Sequence, residues 1–125
     1  MSSTRVAIAG LGAIGRELAR RLHTGLPGLE LVAVAAGNRE KARSWLAEQK
    51  IELPQVPLDQ LAAHADLAIE CAPASTLEAI CVPMLEAGKR VMVLSAGALL
   101  PRPHLIELAR ARGGQIIVPD RKSVV

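Results

Sequence analysis

The sequence is poor in aromatic residues, with no phenylalanine, no tyrosine and a single tryptophan, Trp45. Modules that bind single-stranded nucleic acid stack bases on aromatic side chains, so this composition argues against that class. Cysteine is also scarce, because Cys71 and Cys81 are too few for a disulfide framework or a four-ligand zinc site. No run is apolar enough to span a membrane, and no secretory signal precedes the first motif. We therefore expect a cytoplasmic protein with no metal, no nucleic-acid partner and no membrane partner.

The residues that are present suit one globular domain with an aliphatic core. The chain has 125 residues, of which 50% are hydrophobic and 22% are charged. The net charge is +3, but the basic residues are spread among acidic ones. This distribution indicates solvated helix faces rather than a nucleic-acid patch.

A glycine turn between an apolar strand and a helix is the strongest motif. Gly10, Gly12 and Gly15 have the G-x-G-x-x-G spacing of dinucleotide-binding folds. Gly10 permits the sharp turn, Gly12 lets a pyrophosphate approach the backbone, and Gly15 lets the helix pack closely on the strand. A phosphate would then meet free N–H groups at the helix N-terminus. The alternative is a purely structural strand, turn and helix.

The end of the second predicted strand bears on cofactor choice. An NAD-preferring site carries an acidic residue about 20 positions beyond the glycine turn, whereas this sequence has Asn38 and Arg39 there. Arg39 could pair with a 2′-phosphate and Asn38 could bind a ribose hydroxyl, which predicts NADP tolerance or preference. The alternative is that Asn38 only caps the next helix and Arg39 is solvated.

Short apolar runs alternate with helical patterns along the chain, at 5–9, 30–36, 66–70, 90–94 and 115–118, with a very short run at Val56. Such alternation predicts an α/β fold: a doubly wound parallel (Rossmann) sheet of about six strands, order 3-2-1-4-5-6, with helices on both faces. Two small-residue loops, Ala72-Pro73 and Ser95-Ala-Gly-Ala98, follow the fourth and fifth strands at the edge where ligands bind. Ala72 and Pro73 could let a cofactor approach, or could only shape a tight turn.

Three stretches together resemble the L-aspartate dehydrogenase family: Gly10-Leu-Gly-Ala-Ile-Gly15, Glu70-Cys-Ala-Pro73 and Val93-Leu-Ser-Ala-Gly-Ala-Leu99. The resemblance extends to about residue 119 and covers the amino-terminal half of such an enzyme. It implies three groups of contacts to NAD or NADP: Gly10, Gly12, Ala13 and Ile14 at the pyrophosphate, Asn38 and Arg39 at the adenosine, and Ala72, Pro73 and Gly97 along the nicotinamide.

The same resemblance implies a boundary near the end of the chain. In that family a second α+β domain follows and carries the catalytic histidine and most substrate contacts. Here residues 1–119 would form the dinucleotide-binding domain, and residues 120–125 a short tail that departs from the family pattern. We expect no catalytic residue in this chain, and an amino-acid substrate only where a second domain is supplied.

The family reaction would be oxidation of L-aspartate to iminosuccinate, and then to oxaloacetate and ammonia, with hydride transfer to NAD(P). One alternative is a non-enzymatic NAD(P) sensor or interaction module, which the fold also permits. Another is the cofactor domain of a homoserine-dehydrogenase-like or dihydrodipicolinate-reductase-like enzyme. Under any of these, Ile116, Ile117 and Val118 would form an exposed sheet edge, so we expect a homo-oligomer through that edge.

Overall fold

The computed structural model describes residues 3–119, so the predicted tail at 120–125 lies outside the described residues. The strands are β1 Thr4–Ala9, β2 Leu29–Ala35, β3 Leu67–Glu70, β4 Arg90–Val93 and β5 Gln115–Ile117. The helices are α1 Ala13–Thr24, α2 Arg39–Glu48, α3 Leu61–His64, α4 Leu77–Glu86 and α5 Pro103–Arg112. Short 3₁₀ helices cover Leu58–Gln60, Ala74–Thr76 and Ala96–Leu99.

The strands form one parallel sheet in the order β2-β1-β3-β4-β5. β1 and β3 pair in continuous register from Val6 opposite Leu67 to Ala9 opposite Glu70. β1 and β3 are therefore neighbours although β2 lies between them in the chain, and the strand order reverses between β1 and β3. The predicted α/β class and doubly wound arrangement are confirmed.

The prediction of a third strand at Val56 is wrong. Only one bridge forms there, between Gln55 and Val34, although the amide of Val56 donates to the Val34 carbonyl at 2.9 Å. Pro54 and Pro57 flank this segment. Proline has no amide hydrogen and a fixed φ, so a ladder cannot extend past either residue. Removing this strand from the predicted order leaves the observed order of five.

Side chains alternate along each strand, so both faces of the sheet carry apolar residues. Helices cover both of these faces. Val6 and Ile8 face a core that includes Leu22 of α1 and Leu46 of α2. Ala7 and Ala9 face the opposite core, which is built largely from α4 and α5. On that face small strand residues meet large helical ones, which are Leu77, Ile80, Met84, Leu85 and Leu105. Large and small side chains thus complement each other without aromatic residues.

Candidate functional site

The carboxyl ends of β1, β2 and β3 surround a cavity of about 820 Å³. Four segments line it: the glycine turn from Gly10 to Ala13, the start of α2 from Gly37 to Ala42, the segment from Gln55 to Leu58, and the loop from Cys71 to Pro73. The strands are parallel, so these segments meet at one edge of the sheet, next to the point where the strand order reverses. Open α/β sheets bind ligands in this place. We call this space the glycine-turn cavity.

Two glycines of the turn are required by the backbone around them. Gly10 has φ +106°, and a Cβ there would lie 2.6 Å from the carbonyl oxygen of Cys71. A Cβ on Gly15 would lie 1.9 Å from the carbonyl oxygen of Gly10. Both obstructing atoms belong to the backbone, so neither can move as a flexible side chain would. The predicted roles of Gly10 in the turn and of Gly15 in close packing are therefore present in the structure.

Gly12 differs, because nothing in the protein crowds it. A Cβ there would meet no atom within 4 Å, and its φ of −82° is open to any residue. Folding therefore does not require glycine at this position. Gly12 lines the glycine-turn cavity, and the space that a side chain would fill is free. This arrangement fits a ligand that approaches the backbone closely.

The N-terminus of α1 is left without the usual stabilising groups. Gly12 is the N-cap and offers no side-chain hydrogen bond, and the first turn contains no acidic residue. The first amides of a helix lack partners inside the helix and lie at the positive end of its dipole. An anionic group in the cavity beside Gly12 and Ala13 would fill that role.

Asn38 and Arg39 lie at the opposite side of the cavity, where α2 begins. The Asn38 Oδ1 atom accepts a hydrogen bond from the Lys41 amide at 3.0 Å, so Asn38 caps α2 as the sequence also allowed. The Nδ2 group of Asn38 remains as a donor. Arg39 is exposed, and in the described part of the chain no carboxylate forms an ion pair with it. Its guanidinium is thus available to a ligand, apart from a long 3.4 Å bond to the Gln55 carbonyl.

The other residues predicted to contact the cofactor do not all lie at the cavity. Ala72 and Pro73 line the glycine-turn cavity together with Gly10, Gly12, Ala13, Asn38 and Arg39. Ile14 does not line it, and its side chain is 62% exposed. Gly97 lies outside the cavity in the 3₁₀ helix that follows β4. The structure therefore brings seven of the nine predicted residues to one cavity.

Sequence reasoning missed Arg16, which also lines the cavity. Its Nε donates to the Leu11 carbonyl at 3.1 Å, and its guanidinium lies 5.5 Å from the ring centre of Trp45. This cation–π contact joins α1 to α2 across the cavity wall. In the sequence Arg16 is one of several polar residues on an amphipathic helix, and no local signal separates it from its neighbours.

Gln55 was also missed, because its segment was expected to form a strand. Its Nε2 donates to the Arg39 carbonyl at 3.0 Å, which fixes the backbone at the start of α2. A second, open cavity of about 1090 Å³ lies beyond Gln55 and Arg39 along α2. It contains neither the glycine turn nor the loop after β3, so we place the candidate site in the smaller cavity.

Neither cysteine thiol is activated, whether at the cavity (Cys71) or in the core (Cys81). Burial, together with the charge of Glu70, raises the pKa of the Cys71 thiol to about 12. Burial, together with the charges of Glu70 and Glu78, raises the pKa of the Cys81 thiol to about 12. Both cysteines are free. At neutral pH they are therefore protonated and poor nucleophiles.

Two further functions find no support in the described residues. Within residues 3–119, no group of three or more His, Cys, Asp or Glu side chains is arranged to hold a metal ion. In the same range, none of the helices combines the length and apolar character needed to cross a bilayer.

Comparison with known proteins agrees with this geometry. A family model described as homoserine dehydrogenase, NAD binding domain, matches residues 10–119. The chain belongs to this family of NAD-binding domains. The family is described as NAD-binding and the match includes the glycine turn, which supports a nicotinamide dinucleotide as the cofactor class.

Curated relatives confirm the resemblance to L-aspartate dehydrogenases. L-aspartate dehydrogenase 3 of Bordetella bronchiseptica is 47% identical over 115 residues, which are 91% of this chain. An L-aspartate dehydrogenase of Bradyrhizobium diazoefficiens is 47% identical over 118 residues, or 94% of this chain. The chain spans 42% of the length of each relative.

Solved structures agree on the fold. UDP-N-acetylglucosamine 3-dehydrogenase from Acidithiobacillus ferrooxidans matches 94% of this chain with a TM-score of 0.77 and 23% identity, over 38% of its own length. Biliverdin reductase from Synechocystis, solved with biliverdin and NADP⁺, matches 97% of this chain with a TM-score of 0.76 and 21% identity, over 39% of its own length. At such low identity these similarities concern the Rossmann fold alone.

Proposed function

We propose that this chain is the NAD(P)-binding part of an L-aspartate dehydrogenase. Such an enzyme oxidises L-aspartate to iminosuccinate, which hydrolyses to oxaloacetate and ammonia. The observation that carries the proposal is the open space at Gly12 beside an uncapped helix N-terminus, in a chain 47% identical to two L-aspartate dehydrogenases. The volume of about 820 Å³ lies in the range of cavities that hold small molecules and cofactors.

The residues of this chain bind and orient the cofactor in this proposal. Backbone amides of Gly12, Ala13 and Ile14 hold the pyrophosphate, which explains how Ile14 contributes although its side chain is exposed. Asn38 Nδ2 donates to a ribose hydroxyl. Ala72 and Pro73 present small surfaces toward the nicotinamide side. The dinucleotide itself supplies the hydride acceptor.

In this proposal, the group that accepts the proton is not one of the residues that line the cavity. Within residues 3–119, no histidine, aspartate or glutamate lines the glycine-turn cavity. Oxidation of an amine needs a group that accepts a proton. We infer that the isolated chain binds the cofactor without catalysing the reaction, and that sequence corresponding to the remaining length of the relatives supplies the substrate contacts. The two free, protonated cysteines fit a reducing cytoplasm.

Arg39 favours NADP tolerance or preference. Its guanidinium lies at the adenosine end of the cavity and forms no ion pair among the described residues. A 2′-phosphate would provide a bidentate, charge-assisted partner. Asn38 replaces the carboxylate that would repel that phosphate.

Calorimetric titration of the chain with NADPH and then with NADH tests this proposal. We expect both to bind, with NADPH at least as tight as NADH. No binding of either dinucleotide would contradict the proposed function, and a clear preference for NADH would contradict the role of Arg39. A longer protein that contains this sequence, assayed with L-aspartate and L-homoserine, separates the two substrate classes.

A further inference from the structure

Glu70 is a carboxylate in the middle of the sheet, and none of the roles assigned above uses it. It is the last residue of β3 and is 0% exposed. Its neighbours on the adjacent strands are Ala9 of β1 and Val93 of β4. Among the described residues, no Lys, Arg or His side chain forms an ion pair with it. A buried carboxyl group without a cationic partner needs hydrogen bonds as its source of stabilisation.

Two backbone amides provide that stabilisation. Glu70 Oε1 accepts hydrogen bonds from the amides of Leu94 and Ser95, both at 3.0 Å. These are the first two residues after β4. Both amides share one acceptor oxygen that is buried from water, so losing that acceptor would leave them unpaired; the beginning of this loop is therefore held firmly. We call residues 94–99 the β4 loop.

The far end of the β4 loop is held by a separate group of side chains. Arg102 Nη1 donates to the Ala98 carbonyl at 2.8 Å, and Arg102 Nε lies 3.4 Å from Glu78 Oε1. His104 Nε2 lies 3.0 Å from the same oxygen of Glu78. Between the two anchors, Gly97 is exposed and its Cβ position is open. The β4 loop is thus fixed at both ends and accessible in the middle.

The position of the β4 loop relates it to one half of a dinucleotide. A dinucleotide crosses this kind of sheet where the strand order reverses, here between β1 and β3. In the proposed function the adenosine end lies over β2, where Asn38 and Arg39 line the cavity. The nicotinamide half must therefore lie over β3 and β4, where the β4 loop begins.

We propose that Glu70 is a positioning residue for the nicotinamide half of the cofactor, acting through its hydrogen bonds to the Leu94 and Ser95 amides. This inference rests on the proposed function. Glu70 does not line the glycine-turn cavity, so it acts through the loop and makes no contact with the adenosine half.

The two carboxylate oxygens suggest a matched pair of variants. Oε1 carries both hydrogen bonds, whereas Oε2 has no partner among the described residues. Glu70→Gln keeps an oxygen acceptor for the two amides, and Glu70→Ala removes it. If the acceptor is what matters, Gln should preserve the loop and Ala should release it. Glu107→Gln changes an exposed glutamate on α5 and serves as the control.

Two measurements on the 125-residue chain test the proposal. Hydrogen exchange should show the Leu94 and Ser95 amides exchanging roughly ten-fold faster or more in Glu70→Ala, with wild-type rates in Glu70→Gln and Glu107→Gln. Calorimetry should show a loss of about ten-fold in affinity for NADPH in Glu70→Ala, with less than about a two-fold change for 2′-phospho-ADP-ribose, which lacks the nicotinamide.

The comparison of the two ligands separates positioning from a general structural role. An equal loss for both ligands in Glu70→Ala, unchanged NADPH affinity, or unchanged amide exchange would overturn the inference while leaving the proposed function intact. A wild-type chain that binds neither ligand would instead overturn the proposed function, and the inference with it.

Discussion

Alanine substitutions at Gly12 and Gly15 should separate folding from cofactor binding. Gly15→Ala should destabilise the fold, whereas Gly12→Ala should weaken binding. Gly15→Ala places a Cβ 1.9 Å from the Gly10 carbonyl oxygen, far inside van der Waals contact. Overpacking typically costs 1–3 kcal/mol, and a clash between two backbone segments belongs at the upper end, about 3 kcal/mol. That is a large part of the roughly 5–15 kcal/mol stability of a typical domain, and corresponds to a fall of about 10 °C in Tm.

Gly12→Ala should leave the fold intact. Its Cβ would meet no protein atom within 4 Å, and φ is already negative. Alanine restricts the unfolded chain but caps a helix less well than glycine, so the two effects oppose each other and stability should change by no more than about 1 kcal/mol. The same Cβ would occupy the space where the pyrophosphate approaches, so affinity for NADPH should fall at least about ten-fold, or 1.4 kcal/mol.

Thermal unfolding followed by circular dichroism, together with NADPH calorimetry, measures both effects. Gly12→Ala with wild-type affinity would refute the assignment of the pyrophosphate to this turn. A similar loss of Tm in the two variants would refute the steric distinction between the glycines.

Three other predictions concern separate features of the molecule. Arg39→Ala should weaken NADPH binding about ten-fold and NADH binding little, because the substitution removes a charge-assisted partner of the 2′-phosphate alone; equal losses in calorimetry would contradict this. Cys71 and Cys81, whose thiol pKa values are raised to about 12, should react with iodoacetamide at pH 8 far more slowly than the unfolded chain, as mass spectrometry can show. The edge strand β5 and Val118, which is 43% exposed, should promote self-association, so a strictly monomeric chain in concentrated solution by analytical ultracentrifugation would count against that edge as an interface.

The sequence predicted the parts of the fold that local patterns determine. The glycine spacing located the turn, and alternating apolar runs located the five strands that form. The strand predicted at Val56 does not form, because Pro54 and Pro57 limit its pairing with β2. A single bridge, between Gln55 and Val34, is what forms there.

The candidate site was predictable where one short motif carries it and unpredictable where distant segments meet. Gly10, Gly12 and Ala13 belong to one motif, so their grouping follows from spacing. Arg16 and Gln55 join the cavity through contacts with Trp45 and Arg39, which depend on how the helices pack. The bonds of Glu70 to the β4 loop link residues 24 and 25 positions apart, although a carboxylate at the end of an apolar strand was a signal in the sequence.

Amide chemical-shift mapping by NMR with NADPH tests the central claim most directly, because it reports whether the chain binds the cofactor and where. The account predicts saturable shifts at Gly12, Ala13 and Ile14, at Asn38 and Arg39, and at Ala72, with a matching set for NADH that is smaller around Arg39. Saturable binding with shifts confined to other parts of the sheet, or no shifts at all, would contradict the account.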